Sequence, residues 1–429
     1  MTVQVYENVK TLLRYAIAGT EWEGHVYTVG GCERDRLMGN EIKDIDIVVD
    51  LPNGGIRFAK WLEEKRLTKG SVVVYENYGT AMFRMSEMPE IEIEAVQTRK
   101  ECYRDISTRN PETAFGTIKD DCTRRDFTYN AIYFDITNRE TKDFSGNGIK
   151  DLHDNVLRTC GAPEIIFNED PLRILRAIRF ATRFNSKIDE SVLEGMKKFA
   201  DRLEIISLER IQDEFFKILR SNGAKEGLEL INEIGARKYV LPFVDESRMK
   251  ECISSAGRFD KYALLEMRLA AILWGEELEK KSLLYLKCSN ELIKNVCDLI
   301  YISEKMLLLS RRVIYEEEEC VEYRKIQCAY DEIKVIQAEQ VIYYITGDME
   351  PLKHANAILI KLKKTGTEMY GYKLPIDGED VMRERNIPAG KEVGTWISEA
   401  FSYAYRNPKV TREELLKIVR EGLVYHIKG

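Results

Sequence analysis

Residues 25–49, HVYTVGGCERDRLMGNEIKDIDIVV, leave a chain little choice of fold. HVYTV and IDIVV are short, rich in β-branched residues and read as strands, while CERDRLMG between them carries helix formers and ends at Gly39, a natural helix stop. Gly30 and Gly31 stand where the first strand hands over to the helix. Backbone there can approach a ligand closely, and the free N–H groups of the helix start suit phosphate. The second strand is unusual, because Asp44 and Asp46 are set among strand formers. Period-two alternation puts both on one face, with Cα atoms about 7 Å apart at about 3.3 Å per residue. Paired carboxylates repel unless a cation lies between them, and beside a phosphate-binding turn the natural cation is Mg²⁺. D-x-D alone describes a polar sheet edge; the glycine pair fourteen residues before Asp44 argues for a site.

Further acids and arginines follow in order. IEIEAV (91–96) is another strand and places Glu92 and Glu94 on one face. Glu94 is the third carboxylate expected of a phosphoryl-transfer site, and Asp50, at the exit of the DID strand, ranks below it. CTRRDFTYNAIYFD (122–135) sets Arg124, Arg125 and Asp126 before an apolar run. Arginine forks suit triphosphate oxygens, and Asp126 is an acceptor for a ribose hydroxyl, although neighbouring residues of this kind also form plain surface salt bridges. NEDPLRILRAIRF (168–180) reads as a helix with Asn168 as N-cap and Pro171 near its start. Glu169, Asp170 and Arg173 share a helix face there, so an Asp acceptor stands beside fixed Arg donors. Such a pair matches the pairing edges of cytosine and adenine and opposes those of uracil and guanine; a simple salt bridge is the alternative. SLERIQDEFFKIL (207–219) reads as a capped amphipathic packing helix.

The composition narrows the class. The 429 residues, 44% hydrophobic and 32% charged, indicate a globular protein of several domains. Residues 1–160 are punctuated by strands, and the rest carries helical spacing, without repeats or low-complexity linkers. No apolar run reaches the length of about 18 residues that spans a membrane, and the start resembles neither a signal nor a transit segment. Nine cysteines without a CxxC pair suggest reduced thiols and a cytoplasmic setting. Four scattered histidines argue against His-based metal sites and triads, and the net charge of −7 shows no global basic field for nucleic acid.

With these pieces in place the chain resembles the class II tRNA nucleotidyltransferases, the CCA-adding enzymes and their poly(A) polymerase relatives. GGCERDRLMG…DID is similar to the head motif GGxxRDxLxG…DxD, CTRRDFTYNAI to RRDFT-NA, DFSGNGIKDL to the connecting segment, and EDPLRILRAIRF to the neck motif. LPIDGEDVMRERNIPAGKEVGTWISEAF resembles the tail. Cys32–Glu33 and Tyr129 depart from the usual letters, and packing variation is expected at both. The resemblance implies an α+β fold: a nucleotidyltransferase head with a mixed sheet (1–160), a nucleotide-selecting neck (161–235), a helical body (236–355) and a tRNA-binding tail (356–429). It implies addition of C, C and A to tRNA from CTP and ATP with release of pyrophosphate, and no protein partner is evident. Asp44 and Asp46 would hold two Mg²⁺ ions, with Glu94 the matching catalytic acid. Gly30, Gly31 and Arg34 would cradle the triphosphate, and Arg124, Arg125 and Asp126 would meet phosphate and ribose. Glu169, Asp170, Arg173 and Arg176 would form the nucleotide-selecting face. Asp105 and Arg109 are charged candidates in the loop over 99–116, which in the family serves the final A. The alternatives are a poly(A) polymerase or a CC- or A-adding enzyme on the same scaffold, and a non-catalytic RNA-binding protein.

Overall fold

The computed structural model describes residues 1–102, 112–275, 279–311 and 316–422, with the side chains of residues 77, 101, 102, 112 and 113 left aside. The chain divides into two compact units, Met1–Pro242 and Phe243–Gly429.

The first unit is built on a seven-stranded mixed sheet. Its strands are β1 (Val26–Val29), β2 (Ile45–Val49), β3 (Val73–Tyr75), β4 (Thr80–Met85), β5 (Met88–Gln97), then β8 (Ile132–Asp135) and β9 (Glu140–Asp143); β6 (Arg99–Cys102) and β7 (Glu112–Phe115) form a separate hairpin. The order is β3-β4-β5-β2-β1-β8-β9. β2 and β5 run parallel, while the other neighbours in this sheet are antiparallel.

The alternation read in IDIVV separates two chemistries. Ile45, Ile47 and Val49 enter a large core with Tyr6, Val9, Leu13 and Ile17 of α1 (Val3–Ile17) and Phe58, Ala59 and Leu62 of α3 (Gly54–Glu64). Burying each such side chain contributes about 1.5–3 kcal/mol. Val48 joins the opposite face, where Val29, Cys122, Ala131 and Tyr133 form a small second cluster. Asp46 points to this thinner side, so the face that carries the acids has room for a ligand. The short helix α2 (Gly31–Leu37) follows β1 directly, as its glycine pair requires. α4 (Ile118–Thr123) starts from a reciprocal cap between Thr117 and Asp120, and α5 is Gly148–His153.

Helices take over after the two-residue strand β10 (Val156–Leu157): α6 (Pro163–Glu169), α7 (Leu172–Phe184), α8 (Glu190–Phe199), α9 (Leu208–Arg220) and α10 (Ala224–Glu233). The sequence expectation needs correction here. Asn168 is no N-cap; it lies in the last turn of α6, and the chain breaks at Asp170 before α7 begins. Asp170 serves as the capping acceptor instead, its Oδ1 taking a hydrogen bond from Leu172 N at 3.1 Å. Pro171 forces that break, because it lacks the N–H that a continuous helix would use.

Among its described residues the second unit is built of helices, with no strand. Its last three helices, Gly378–Arg385, Lys391–Arg406 and Arg412–Glu421, enclose a core of Ile376, Val381, Ala400, Leu415 and Val419. Asp377 and Asp380 form a reciprocal cap at the first of them. Among the described residues no helix is long and apolar enough to cross a membrane.

Candidate active site

β2 and β5 are in register with Asp46 opposite Glu94, so two carboxylates stand side by side on one sheet face. Asp44, just ahead of β2, is exposed. Burial pushes the Asp46 carboxyl up to about 6, with Glu94 and Asp44 adding repulsion and Arg125 opposing the rise. Like charges held together on a half-dry surface store repulsion that a cation would relieve. Among the described residues no group of three or more His, Cys, Asp or Glu side chains is placed to hold a metal ion by itself. The donors that Asp46 and Glu94 offer on this face are carboxylate oxygens.

Gly30 brings the turn between β1 and α2 to these acids. Its backbone, at φ 85° and ψ −135°, lies in a region that only glycine adopts readily. A Cβ placed there would sit 3.6 Å from Arg125 Nη1 and 3.7 Å from Asp46 Oδ2, so turn, guanidinium and carboxylate converge. Gly31 likewise faces Arg34, whose Nη2 would lie 3.6 Å from an added Cβ.

Arg34 is buried. Its guanidinium donates to both Asp35 carboxylate oxygens at 2.9 Å and to Asn130 Oδ1 at 2.6 Å, and it stacks over Phe184 with its Cζ 4.7 Å from the ring centre. Asn130 then donates to Asp126 Oδ1 at 3.1 Å. Asp126 also receives Arg176, with Nη2 at 2.5 Å from Oδ2, and is only 9% exposed. Burial would raise the Asp126 carboxyl, but Arg176 prevails and holds it at about 2. Asp126 thus ties the RRD turn to α7.

The arginine series on α7 is absorbed in the same manner. Arg179 donates to Glu214 of α9 at 2.6 Å, and Arg176 approaches the same carboxylate at 3.9 Å. Arg183 reaches Asp35 at 4.0 Å. Arg173 donates to the Arg124 carbonyl at 2.9 Å and to Glu169 Oε2 at 3.4 Å. Asp170 pairs with Arg210 at 3.1 Å, so the acid beside Arg173 is Glu169. Asp105 and Arg109 lie outside the described residues.

Sequence reasoning passed over Asp121. This carboxylate is fully buried and receives Arg124 at 2.5 Å and Arg125 at 3.1 Å, together with the Tyr133 hydroxyl at 2.8 Å. Burial acts to raise it, but Arg125 and Arg124 hold its carboxyl below the usual range. Its spacing was the available signal, since DDCTRR puts an acid three and four residues ahead of the two arginines on one helical turn.

Residues 26–158 match the poly A polymerase head domain, and residues 185–247 match a probable RNA and SrmB-binding site of polymerase A. A CCA-adding enzyme of Lactococcus lactis is 33% identical over 64% of this chain and 67% of its own length. The chain belongs to the class II CCA-adding enzyme and poly(A) polymerase family.

A CCA-adding enzyme of Enterococcus faecalis is 27% identical over 91% of this chain and 90% of its own. The crystal structure of the Bacillus stearothermophilus CCA-adding enzyme in complex with CTP superimposes with a TM-score of 0.74, at 21% identity, over 97% of this chain and 96% of that one. The two departures from the motif letters are packing positions. Cys32 and Tyr129 are core positions, and Glu33 is a buried carboxylate accepting from Tyr6 and Thr28 at 2.5 Å and Arg36 at 2.7 Å. Tyr129 packs edge-on against Phe180 and Phe184. All three fasten their motifs to the surrounding core.

Proposed function

We propose that this chain adds C, C and A to the 3′ end of tRNA from CTP and ATP, releasing pyrophosphate. The reading rests on one observation: Asp46 and Glu94 are register partners beside Gly30 and Arg125, in a chain whose relatives are named CCA-adding enzymes. In this reaction the tRNA 3′-hydroxyl attacks the α-phosphate in line, and pyrophosphate departs. Asp44, Asp46 and Glu94 would hold two Mg²⁺ ions, which when bound neutralise charge on the triphosphate and favour ionisation of the attacking hydroxyl.

The remaining work belongs to the protein. Gly30 and Gly31 admit phosphate close to backbone, and Arg125, fixed by Asp121, presents its outer N–H groups toward it. Arg34 and Asp126 act through position: they lock the start of α2 and the RRD turn against α7. Glu169 and Arg173 are the donors and acceptors at which cytosine and adenine are chosen, with Arg173 anchored on the Arg124 carbonyl. We read residues 161–235 as the selecting neck, 236–355 as the body and 356–429 as the tail that receives tRNA, held through backbone and shape. A reducing cytoplasm suits the scattered thiols, although a Saccharomyces cerevisiae relative is named mitochondrial.

The test supplies tRNAs ending before CCA, after C and after CC, with CTP and ATP singly and together. Product lengths are then read at nucleotide resolution. Growth by three residues and arrest supports the proposal. A long A ladder identifies a poly(A) polymerase, partial growth a CC- or A-adding enzyme, and no extension a binding protein.

A further inference from the structure

The carboxylate pair continues into a longer row across the sheet. Glu94 faces Met82 of β4, and Met82 faces Val73 of β3, so Asp46, Glu94, Met82 and Val73 stand side by side across four neighbouring strands. The next row holds Val48, Val96, Thr80 and Tyr75. Register partners share a sheet face, so both rows lie on the side of the acids. The residues between the rows, Ile47, Ala95, Ala81 and Val74, turn the other way into the large core. Among the described residues the outer end of the acid face is open: Val73 is 51% and Tyr75 44% exposed, and Met82 is half-buried. Arg84, exposed and paired with Glu92 at 2.9 Å, bounds this shelf on the side where β5 begins. β3 is the last strand of the sheet, so the shelf runs from Glu94 to a free edge about 10 Å away, at two strand spacings. An edge strand that shows valine and tyrosine is a liability unless something covers it.

What covers it follows from the transfer reaction proposed above, on which this inference rests. Gly30 and Arg125 reach Asp46 from the β1 side, and Arg173 is anchored on the Arg124 carbonyl beside them. The incoming triphosphate and its base belong to that side. In-line displacement requires the attacking oxygen to stand opposite the leaving pyrophosphate. The acceptor 3′-hydroxyl then approaches over Glu94, from β5, β4 and β3. We infer that Val73, Tyr75 and Met82 form the platform on which the 3′-terminal nucleotide of the acceptor RNA rests, positioning its hydroxyl at the acid pair.

The chemistry of the shelf suits that occupant. The last base of the acceptor changes as addition proceeds, so a site that read its edge at one step would refuse it at the next. Stacking and apolar contact tolerate any base, because every base has a π-face. Valine has no hydrogen-bonding group, methionine only a weak acceptor and tyrosine a single hydroxyl, too few to read a base edge. Arg84 supplies a guanidinium at the border of the shelf for a flanking phosphate.

The test uses the full chain and a tRNA ending in CC, with ATP. Tyr75→Ala is expected to raise KM for that tRNA about tenfold or more, while KM for ATP stays within about twofold and the melting temperature is unchanged. Tyr75→Phe keeps the ring and is expected to restore the wild-type KM for tRNA. Val73→Glu, at an exposed edge position, sets a carboxylate in the path of the RNA and is expected to raise the same KM. A tRNA with 4-thiouridine as its last residue is expected to crosslink on irradiation to the peptide that carries Val73, Tyr75 or Met82. An unchanged KM for tRNA in Tyr75→Ala and Val73→Glu overturns the platform, as does an equal rise in KM for ATP. A crosslink confined to other peptides also overturns it. So does dissociation of a dimer by either variant with KM unmoved, which would make this edge an interface between copies. The kinetic arm needs the transfer reaction and the crosslink does not. A wild-type protein that binds tRNA without extending it therefore fails the reaction, and the crosslink still decides the platform.

Discussion

Asp46 and Glu94 meet as register partners on the parallel strands β2 and β5, two carboxylates on one face with Gly30 and Arg125 against them. A fold gains nothing from such a pair. Burial and the neighbouring acids raise the Asp46 carboxyl to about 6, a cost retained because the pair does something else. The residue is therefore expected to trade stability against activity. Asp46→Asn should raise the melting free energy of the metal-free protein by on the order of 1 kcal/mol, while nucleotide incorporation falls by about 10³-fold or more. Thermal melting in a chelator and single-turnover CTP incorporation measure the two effects. An Asp46→Asn protein that melts no higher, or that still turns over, would contradict this account of the pair.

Asp121→Asn keeps the shape of the residue that fixes Arg124 and Arg125 but removes its charge. The arginines should then sample other rotamers, and KM for CTP and ATP should rise about tenfold, equivalent to about 1.4 kcal/mol, with a smaller change in kcat. Steady-state kinetics on a tRNA ending in CC, with ATP alone, isolates the effect in one step. A change confined to kcat would place Asp121 in the chemistry instead of in the positioning of its arginines.

Much of this was legible in the chain, and the reasons for the exceptions are physical. IDIVV reported both its faces, because alternation is forced on any strand: Ile45, Ile47 and Val49 reach the large core and Asp46 the open side. The glycine turn and the short helix after it were equally local. Asn168 misled because an N-cap letter was read without the proline's consequence, a break at Asp170 that ends one helix and starts another. The α7 arginines at 173, 176, 179 and 183 share a side in any helix, and the spacing of Glu169 and Arg173 gave their pairing locally, but nothing local says that Asp126, Glu214 and Asp35 will meet the others. Those three acids are distant in the sequence, and pairings of that range are set by tertiary packing.

The Asp126–Arg176 pair gives a signed dependence on pH. Asp126 is held at about 2 in the fold, below its ordinary value of 3.8, so its contribution to stability is present above that ordinary value and is lost as pH falls toward 2. Arg176→Ala leaves the carboxylate buried without its partner. At pH 7 the expected cost is about 2–3 kcal/mol, below the 3–5 typical of a fully buried pair because part of the Arg176 side chain meets solvent. The difference between wild type and variant should shrink as pH is lowered from 5 to 3, where Asp126 of the variant can protonate. Urea unfolding across that range measures it, and a difference independent of pH would remove Asp126 as its source.

Glu339 supplies the opposite sign in the second unit. It lies in the helix Glu332–Thr346, is 4% exposed, and its Oε1 has no hydrogen-bond partner among the described residues. Burial alone pushes its carboxyl up to about 7 from an ordinary value of 4.5. The folded protein therefore holds a proton that the unfolded chain releases near 4.5. Stability from this group is full below that value, falls as pH rises from about 4.5 to 7, and is gone above. Glu339→Gln carries no such charge, so it should melt like wild type at pH 5 and several degrees higher at pH 8. Melting curves at pH 5, 6, 7 and 8 test the difference between the two proteins, which cancels the titration of every other group. A constant difference over that range would mean that Glu339 is already neutral, or already charged, throughout.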